Sequence, residues 1–220
     1  MSPDASSPRS REEQASAPPI AILEPLSVFV LIMAYIWDLR FSHHGVWLGI
    51  LSLMIVSHLA RRERAQSLGF RADNLRHCLS EFAPLLGLLA LAMLAGGILL
   101  ETTRSIEFPK GAAALGAYLP WGVFQQYILN GYFLNRFDRV LPARAASFAA
   151  AALFSGAHLP NWFLMLVTLP LGYCAARIYR RQRNLYFLGI AHGIIGFLLF
   201  LVVPDSISHH LTVGPGWFAH

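Results

Sequence analysis

Two kinds of side chain in this sequence stand where chemistry is possible and solvent is scarce. Gln125, Gln126 and Asn130 lie within one apolar run, Trp121-Gly-Val-Phe-Gln-Gln-Tyr-Ile-Leu-Asn-Gly-Tyr132. Gln126 and Asn130 are four residues apart and share a helical face. His158 closes a second apolar run, Asn161 follows three residues later, and His192 sits inside a third run. Amides donate and accept hydrogen bonds but take no proton at physiological pH, whereas imidazole titrates near neutrality and also binds metals. Two histidines on different helices beside a group of amides can therefore converge on a water or on a metal ion. The competing reading is structural, because amides in membrane helices also bridge neighbouring helices without chemistry, and a lone histidine can simply bond to a neighbour. Polar groups at membrane depth are energetically costly, which makes this short set the natural place to look for a site. Glu24, Glu81 and Glu101 fall near segment ends, within reach of the interface, and rank lower.

The elements that must position these residues follow from composition. The chain has 220 residues, 55% hydrophobic and only 13% charged, and its mean hydropathy is +0.50. This is the composition of a membrane protein. Its net charge of +5 comes from basic residues in short runs between long apolar segments, not from one basic face, so no nucleic-acid partner is expected. Cys78 and Cys174 form no disulfide framework and read as packing residues. Residues 1–19 lack an apolar run and read as a disordered cytoplasmic tail.

A bilayer core of about 30 Å takes about 20 helical residues to cross. Seven segments qualify: Ile20 to Trp37, Gly45 to Ala60, Leu79 to Leu100, Ala112 to Leu134, Ala145 to His158, Asn161 to Ala176 and Leu185 to Val203. The fold class expected is all-α, a polytopic membrane helix bundle of about seven transmembrane helices over residues 20–204, with a short extracytoplasmic tail over 205–220. With the N-terminus inside, 14 of the 17 Lys and Arg face the cytoplasm and only Arg40, Arg104 and Lys110 lie outside, as the positive-inside rule favours. The expected location is the plasma (inner) membrane with a cytoplasmic N-terminus. Arg61 to Arg64 read as a topology anchor, Arg61 to Glu81 as a stretch along the interface, and Gly189 with Gly193 as a close helix contact. A rise of about 1.5 Å per residue puts Gln125 and His192 each about 10 Å from the inner end of the core. His158 comes out about 10 Å higher, so a tilted or partly re-entrant fifth segment is needed to bring it to the others.

The polar residues, in this order and spacing, resemble the motifs of the CPBP family, the CAAX protease and bacteriocin-processing (Abi) intramembrane proteases. The likeness spans about residues 68–203 and includes the connector Ser67-Leu-Gly-Phe-Arg71. The family's first motif, Glu-Glu-x-x-x-Arg followed by Gly, aligns with Gln125-Gln126-Tyr-Ile-Leu-Asn130-Gly131. The second, Phe-x-x-x-His, is intact as Phe154 to His158, and the third, His-x-x-x-Asn, aligns with His192 to Gly196. The resemblance implies an endopeptidase in which a first-motif glutamate activates water, histidines assist and an asparagine stabilises the oxyanion.

Both glutamates are glutamine here, the arginine is Asn130 and the terminal asparagine is Gly196. An amide cannot serve as general base, so the glutamate-dependent step is lost at Gln125 and Gln126. The expected catalytic set is Gln125, Gln126, His158 and His192, with Asn130, Asn161 and Gly196 as supporting or oxyanion positions, no metal and no cofactor. The expected partners are a membrane-associated peptide or protein and the lipid bilayer. Three functions follow: an intramembrane hydrolase with a histidine base, a non-catalytic scaffold binding peptide or lipid, and a paired-histidine holder of haem or a transition metal.

Overall fold

The computed structural model describes residues 19–219, and among these every regular element is helical. The expected N-terminal tail falls outside the described residues except for Pro19, which opens the short turn Pro19–Ile22. The helices are α1 (Leu23–Ser42), α2 (Val46–Ala60), α3 (Leu75–Leu99), α4 (Phe108–Gln126, continuing as a π-helical stretch Tyr127–Leu134), α5 (Ala143–Gly156), α6 (Trp162–Gln182) and α7 (Leu185–Val202). One helix answers each apolar segment, because apolar surroundings leave the backbone no hydrogen-bond partner except itself. Length and apolarity together qualify four of them to cross a membrane, α1, α3, α6 and α7, against the expected seven. The shortfall has a geometric side, since α2 has 15 residues and α5 only 14, about 21 Å of helix against a core of about 30 Å.

Boundaries moved where caps and turns decide them. Helix α3 starts at Leu75, so only residues 61–74 form the connector and the rest of the expected interfacial stretch is its first two turns. Asn161 caps α6 by accepting from the Leu164 N–H at 3.0 Å, and Asn184 caps α7 by accepting from the Phe187 N–H at 2.8 Å. In the 61–74 connector Gly69 has φ of +92°, a left-handed conformation that favours glycine, and its carbonyl accepts from Leu185 N at 2.8 Å.

The closest helix pair is α4 against α7, and glycine makes it possible. A Cβ on Gly122 would stand 2.3 Å from the Gly189 carbonyl oxygen, one on Gly189 2.4 Å from the Val123 Cα, and one on Gly193 2.7 Å from the Tyr118 carbonyl oxygen. The backbones are thus in direct contact, as small-residue crossings in membranes allow. The Gly189 and Gly193 expectation holds, with Gly122 as the partner the sequence reading lacked. Gly189→Ala is expected to lower stability by about 1–3 kcal/mol or more, because rigid backbone stands where the methyl must go. Thermal unfolding in detergent checks this, and an unchanged midpoint would count against the crossing.

The segment expected as a C-terminal tail folds back as short turns, Asp205–Ser208, His209–Leu211 and Gly214–Ala219. Both Asn161 amide hydrogens are given to it, to Ser208 O at 2.9 Å and Thr212 O at 3.0 Å. Gly214 N donates to Leu159 O at 2.8 Å, and Arg104 pairs with Asp205 at 2.5 Å.

Candidate active site

Asn130, Gln126 and His192 form one hydrogen-bonded chain across the α4–α7 contact. Asn130 Nδ2 donates to Gln126 Oε1 at 2.6 Å, and Gln126 Nε2 lies 3.1 Å from His192 Nδ1. The chain has a direction. An amide oxygen that accepts from Asn130 leaves Gln126 its N–H to donate, so His192 Nδ1 accepts and the neutral ring carries its proton on Nε2. His158 has the opposite polarity. Its Nδ1 lies 2.8 Å from the Phe154 carbonyl oxygen, which can only accept, so Nδ1 carries the proton and Nε2 is left as an acceptor. One imidazole thus retains a free donor and the other a free acceptor.

The Phe154 ring ties the two histidines together, with its centroid 5.1 Å from that of His158 and 5.8 Å from that of His192. Gln125, Gln126, His158, His192 and Gly196 all line a single cavity of about 1260 Å³, and among the described residues no Asp or Glu lines it. His158 lies in the turn after α5, which ends at Gly156, and its contact with the same Phe154 ring that meets His192 brings it to the others despite the separation of about 10 Å that helical rise gave.

Two expected supporting residues take other parts. Asn161 is fully buried and spends its amide hydrogens on Ser208 and Thr212, so the oxyanion role expected for it has no donor left. Gly196 offers only space, and a Cβ there would meet the Tyr118 ring at 3.1 Å, which leaves little room for the asparagine of the related motif. Asn130 lies behind Gln126, where its Oδ1 is buried without a partner. Among the described residues no group of three or more His, Cys, Asp or Glu is placed to hold a metal ion.

The π-helical stretch Tyr127–Leu134 begins one residue after Gln126 and widens the turn. It directs Gln126 and Asn130 towards α7 while Tyr127 and Tyr132 face α1 and α2. On that side lies a polar cluster that sequence reasoning missed. The Arg136 side chain is 1% exposed and donates to Glu24 Oε1 at 2.9 Å, to both Glu63 oxygens at 3.0 Å and to Ser57 Oγ at 2.9 Å. His58 Nδ1 lies 2.5 Å from Glu63, Tyr132 donates to Glu24 at 3.1 Å, and Arg61 also pairs with Glu24. Burial alone would raise the Glu63 carboxyl, but hydrogen bonds from His58 and Arg136 and the charges of Arg136 and Arg139 hold it well below the usual carboxylate range. The available signal was Glu63 within the run Arg61-Arg62-Glu63-Arg64, together with Glu24 at the start of the first apolar segment.

Residues 109–198 match the family model described as type II CAAX prenyl endopeptidase Rce1-like, which bears out the CPBP resemblance over that region. The match takes in Gln125, Gln126, Phe154, His158 and His192. No curated protein and no solved structure matches the chain.

Proposed function

We propose that this membrane protein, Rce1-like across residues 109–198, binds membrane-associated polypeptide in the α4–α7 cavity and cleaves it, slowly, with histidine in place of glutamate. The observation that carries the reading is the opposed polarity of the two imidazoles at one cavity, with an acceptor at His158 Nε2 and a donor at His192 Nε2. In the proposed step His158 Nε2 takes a proton from the attacking water while the His192 Nε2–H donates to the carbonyl oxygen as it gains charge; as the tetrahedral intermediate collapses and the C–N bond breaks, His158 passes that proton to the leaving amine. Gln126 holds His192 in the donating tautomer and Asn130 holds Gln126. The step calls for no cofactor.

Cleavage of membrane-tethered peptides by purified wild type, His158→Ala and His192→Ala tests this. The expected result is measurable wild-type turnover and a loss of about 10²-fold or more in each variant. Turnover unaffected by either change would overturn the assignment. A second reading has its own support in the missing carboxylate: a protein that holds the peptide without cutting it. Wild type that binds the peptide but leaves it intact at all times would decide for that reading.

We further propose that the N-terminus faces the cytoplasm and that the chain resides in the plasma (inner) membrane. Arg61, Arg139, Arg180 and Arg183 gather at the end of the bundle where Arg136 is buried, and Arg40 and Arg104 lie at the other. Single cysteines at Arg64 and Arg177 are expected to label only from the cytoplasmic side, and one at Ser206 only from outside. Ser206 is exposed whereas Ser208 is buried, so it is the position to read. Cytoplasmic labelling of Ser206 would reverse the orientation.

A further inference from the structure

The π-helical stretch Tyr127–Leu134 is held from outside at both ends. Such turns close i→i+5 bonds and rarely outlast one turn, whereas this one runs for eight residues. At the far end Tyr132 donates to Glu24 at 3.1 Å, and Arg136 just beyond is enclosed by Glu24 and Glu63. At the near end the first residue, Tyr127, has its hydroxyl 3.1 Å from His58 Nε2, and among the described residues that hydroxyl has no other hydrogen-bond partner. His58 is fixed on α2: it is buried, its Nδ1 lies 2.5 Å from a Glu63 oxygen and 2.9 Å from an Arg136 nitrogen, and the Tyr132 ring meets it edge-on with centroids 5.7 Å apart. A carboxylate only accepts, so the neutral ring carries its proton on Nδ1 and Nε2 accepts from Tyr127. The Tyr127 ring lies across Gly131, where a Cβ would stand 2.9 Å from Tyr127 Cδ2.

Tyr127 follows Gln126 directly, and the two point apart, Tyr127 to His58 on α2 and Gln126 to His192 on α7. An α-helical path through the same residues would bond i→i+4 and rotate the two ends of the stretch against each other. Gln126 would then leave His192 whenever Tyr132 and Arg136 kept their acids. The wide turn satisfies both ends, and its place in the chain needs a hold next to Gln126. We propose that Tyr127 is a positioning residue of the α4–α7 site: its hydroxyl, bonded to His58, pins the start of the π-helical stretch and so keeps the Gln126 N–H on His192 Nδ1. This rests on the histidine reading above and adds to it a line of contacts from Glu63 through His58 and Tyr127 to the tautomer of His192. Neither Tyr127 nor His58 lines the cavity, so a change at either reaches His192 only through the helix.

The test is solid-state nitrogen NMR of the full-length, histidine-labelled protein in liposomes of phosphatidylcholine. The ring signals are assigned by those lost in His192→Gln and in His158→Gln. Wild type is expected to show His192 with its proton on Nε2 and His158 with its proton on Nδ1. Tyr127→Phe removes a single oxygen and is expected to cut the tautomer preference of His192 about tenfold, the equivalent of one hydrogen bond, while His158 keeps its wild-type signature. His58→Leu breaks the same bond from the other side and is expected to give the same mixture, which serves if Tyr127→Phe does not fold. A wild-type His192 signature in either folded variant overturns the proposal. So does a change that affects both histidines alike, because general loosening and not positioning would then be the cause. Where wild type cleaves the tethered peptide, kcat of Tyr127→Phe is expected to fall about tenfold with KM unchanged, and a change in KM alone is a second result against the proposal. Wild type with the His192 proton on Nδ1 defeats the histidine reading and this proposal together, whereas a wild-type signature that survives in Tyr127→Phe defeats this proposal alone.

Discussion

Gln126→Glu is expected to raise peptide cleavage by about 10²–10⁴-fold, the usual range for a positioned general base. The neighbours are already arranged for a carboxylate. Asn130 donates at 2.6 Å to the oxygen that the new side chain would keep, and His192 lies 3.1 Å from the atom that would become the second oxygen. In wild type Gln126 donates to His192 Nδ1; a carboxylate can only accept, so the ring must shift its proton to Nδ1 and present Nε2 as an acceptor. The variant therefore changes the base and the polarity of its partner together. Rates on the membrane-tethered peptides, with Gln125→Glu as the control, check this. Gln125 lines the cavity without a hydrogen bond to either histidine, so it should gain little. Equal gains from the two variants would show that the chain through Asn130 does not select the reacting position.

Arg136→Met is expected to destabilise the fold by about 3–5 kcal/mol at neutral pH. Its methylenes are largely replaced, but Glu24 and Glu63 then lose the buried cation they share and keep only the more exposed Arg61 and Arg139. The triple variant that also carries Glu24→Gln and Glu63→Gln should recover most of that loss, because under-compensated carboxylate charge and not lost volume is the cause. The pH dependence has a defined sign. Glu63 is held below its ordinary value of 4.5, so its contribution is present above that pH and is lost as the pH falls further. Wild type should lose stability on acidification below about pH 4.5, and Arg136→Met should show a flatter profile, with its deficit largest near neutrality. Thermal unfolding from pH 3 to 7 measures both. A deficit in Arg136→Met that did not shrink on acidification would mean that the carboxylates are not what it neutralises.

How much of this was legible without coordinates depends on whether a feature is local in the chain. Helix number and approximate limits were readable, because each apolar run must satisfy its own backbone, and the same cost of polar groups in apolar surroundings singled out Gln126, His158 and His192. The Gly189 and Gly193 contact was readable for a similar reason, since two small residues four apart leave a groove whatever fills it. Four of the seven runs give helices long and apolar enough to cross, and the shortness of α5, 14 residues, was already visible in the run Ala145 to His158. Helical rise set His158 apart from His192, because a rise per residue is counted along one helix axis and carries nothing of how two axes pack; the shared Phe154 contact is what joins them.

The sequence by itself determined an all-helical chain of membrane composition, and it placed the polar residues on helices α4 and α7 and in the turn after α5, in an order matching a known family. Tertiary structure alone decided which of them do what. Asn161 looked like a supporting residue until both its donors were found on the C-terminal turns, and Arg136 looked like one more basic anchor until it was found enclosed by Glu24 and Glu63. Such pairings join residues about 50 to 110 positions apart, and no local pattern encodes them. The opposed tautomers of His158 and His192 likewise depend on which atom each Nδ1 meets, a carbonyl in one case and an amide N–H in the other. Chemical type is carried by the residue, but proton position is set by the neighbour that packing supplies.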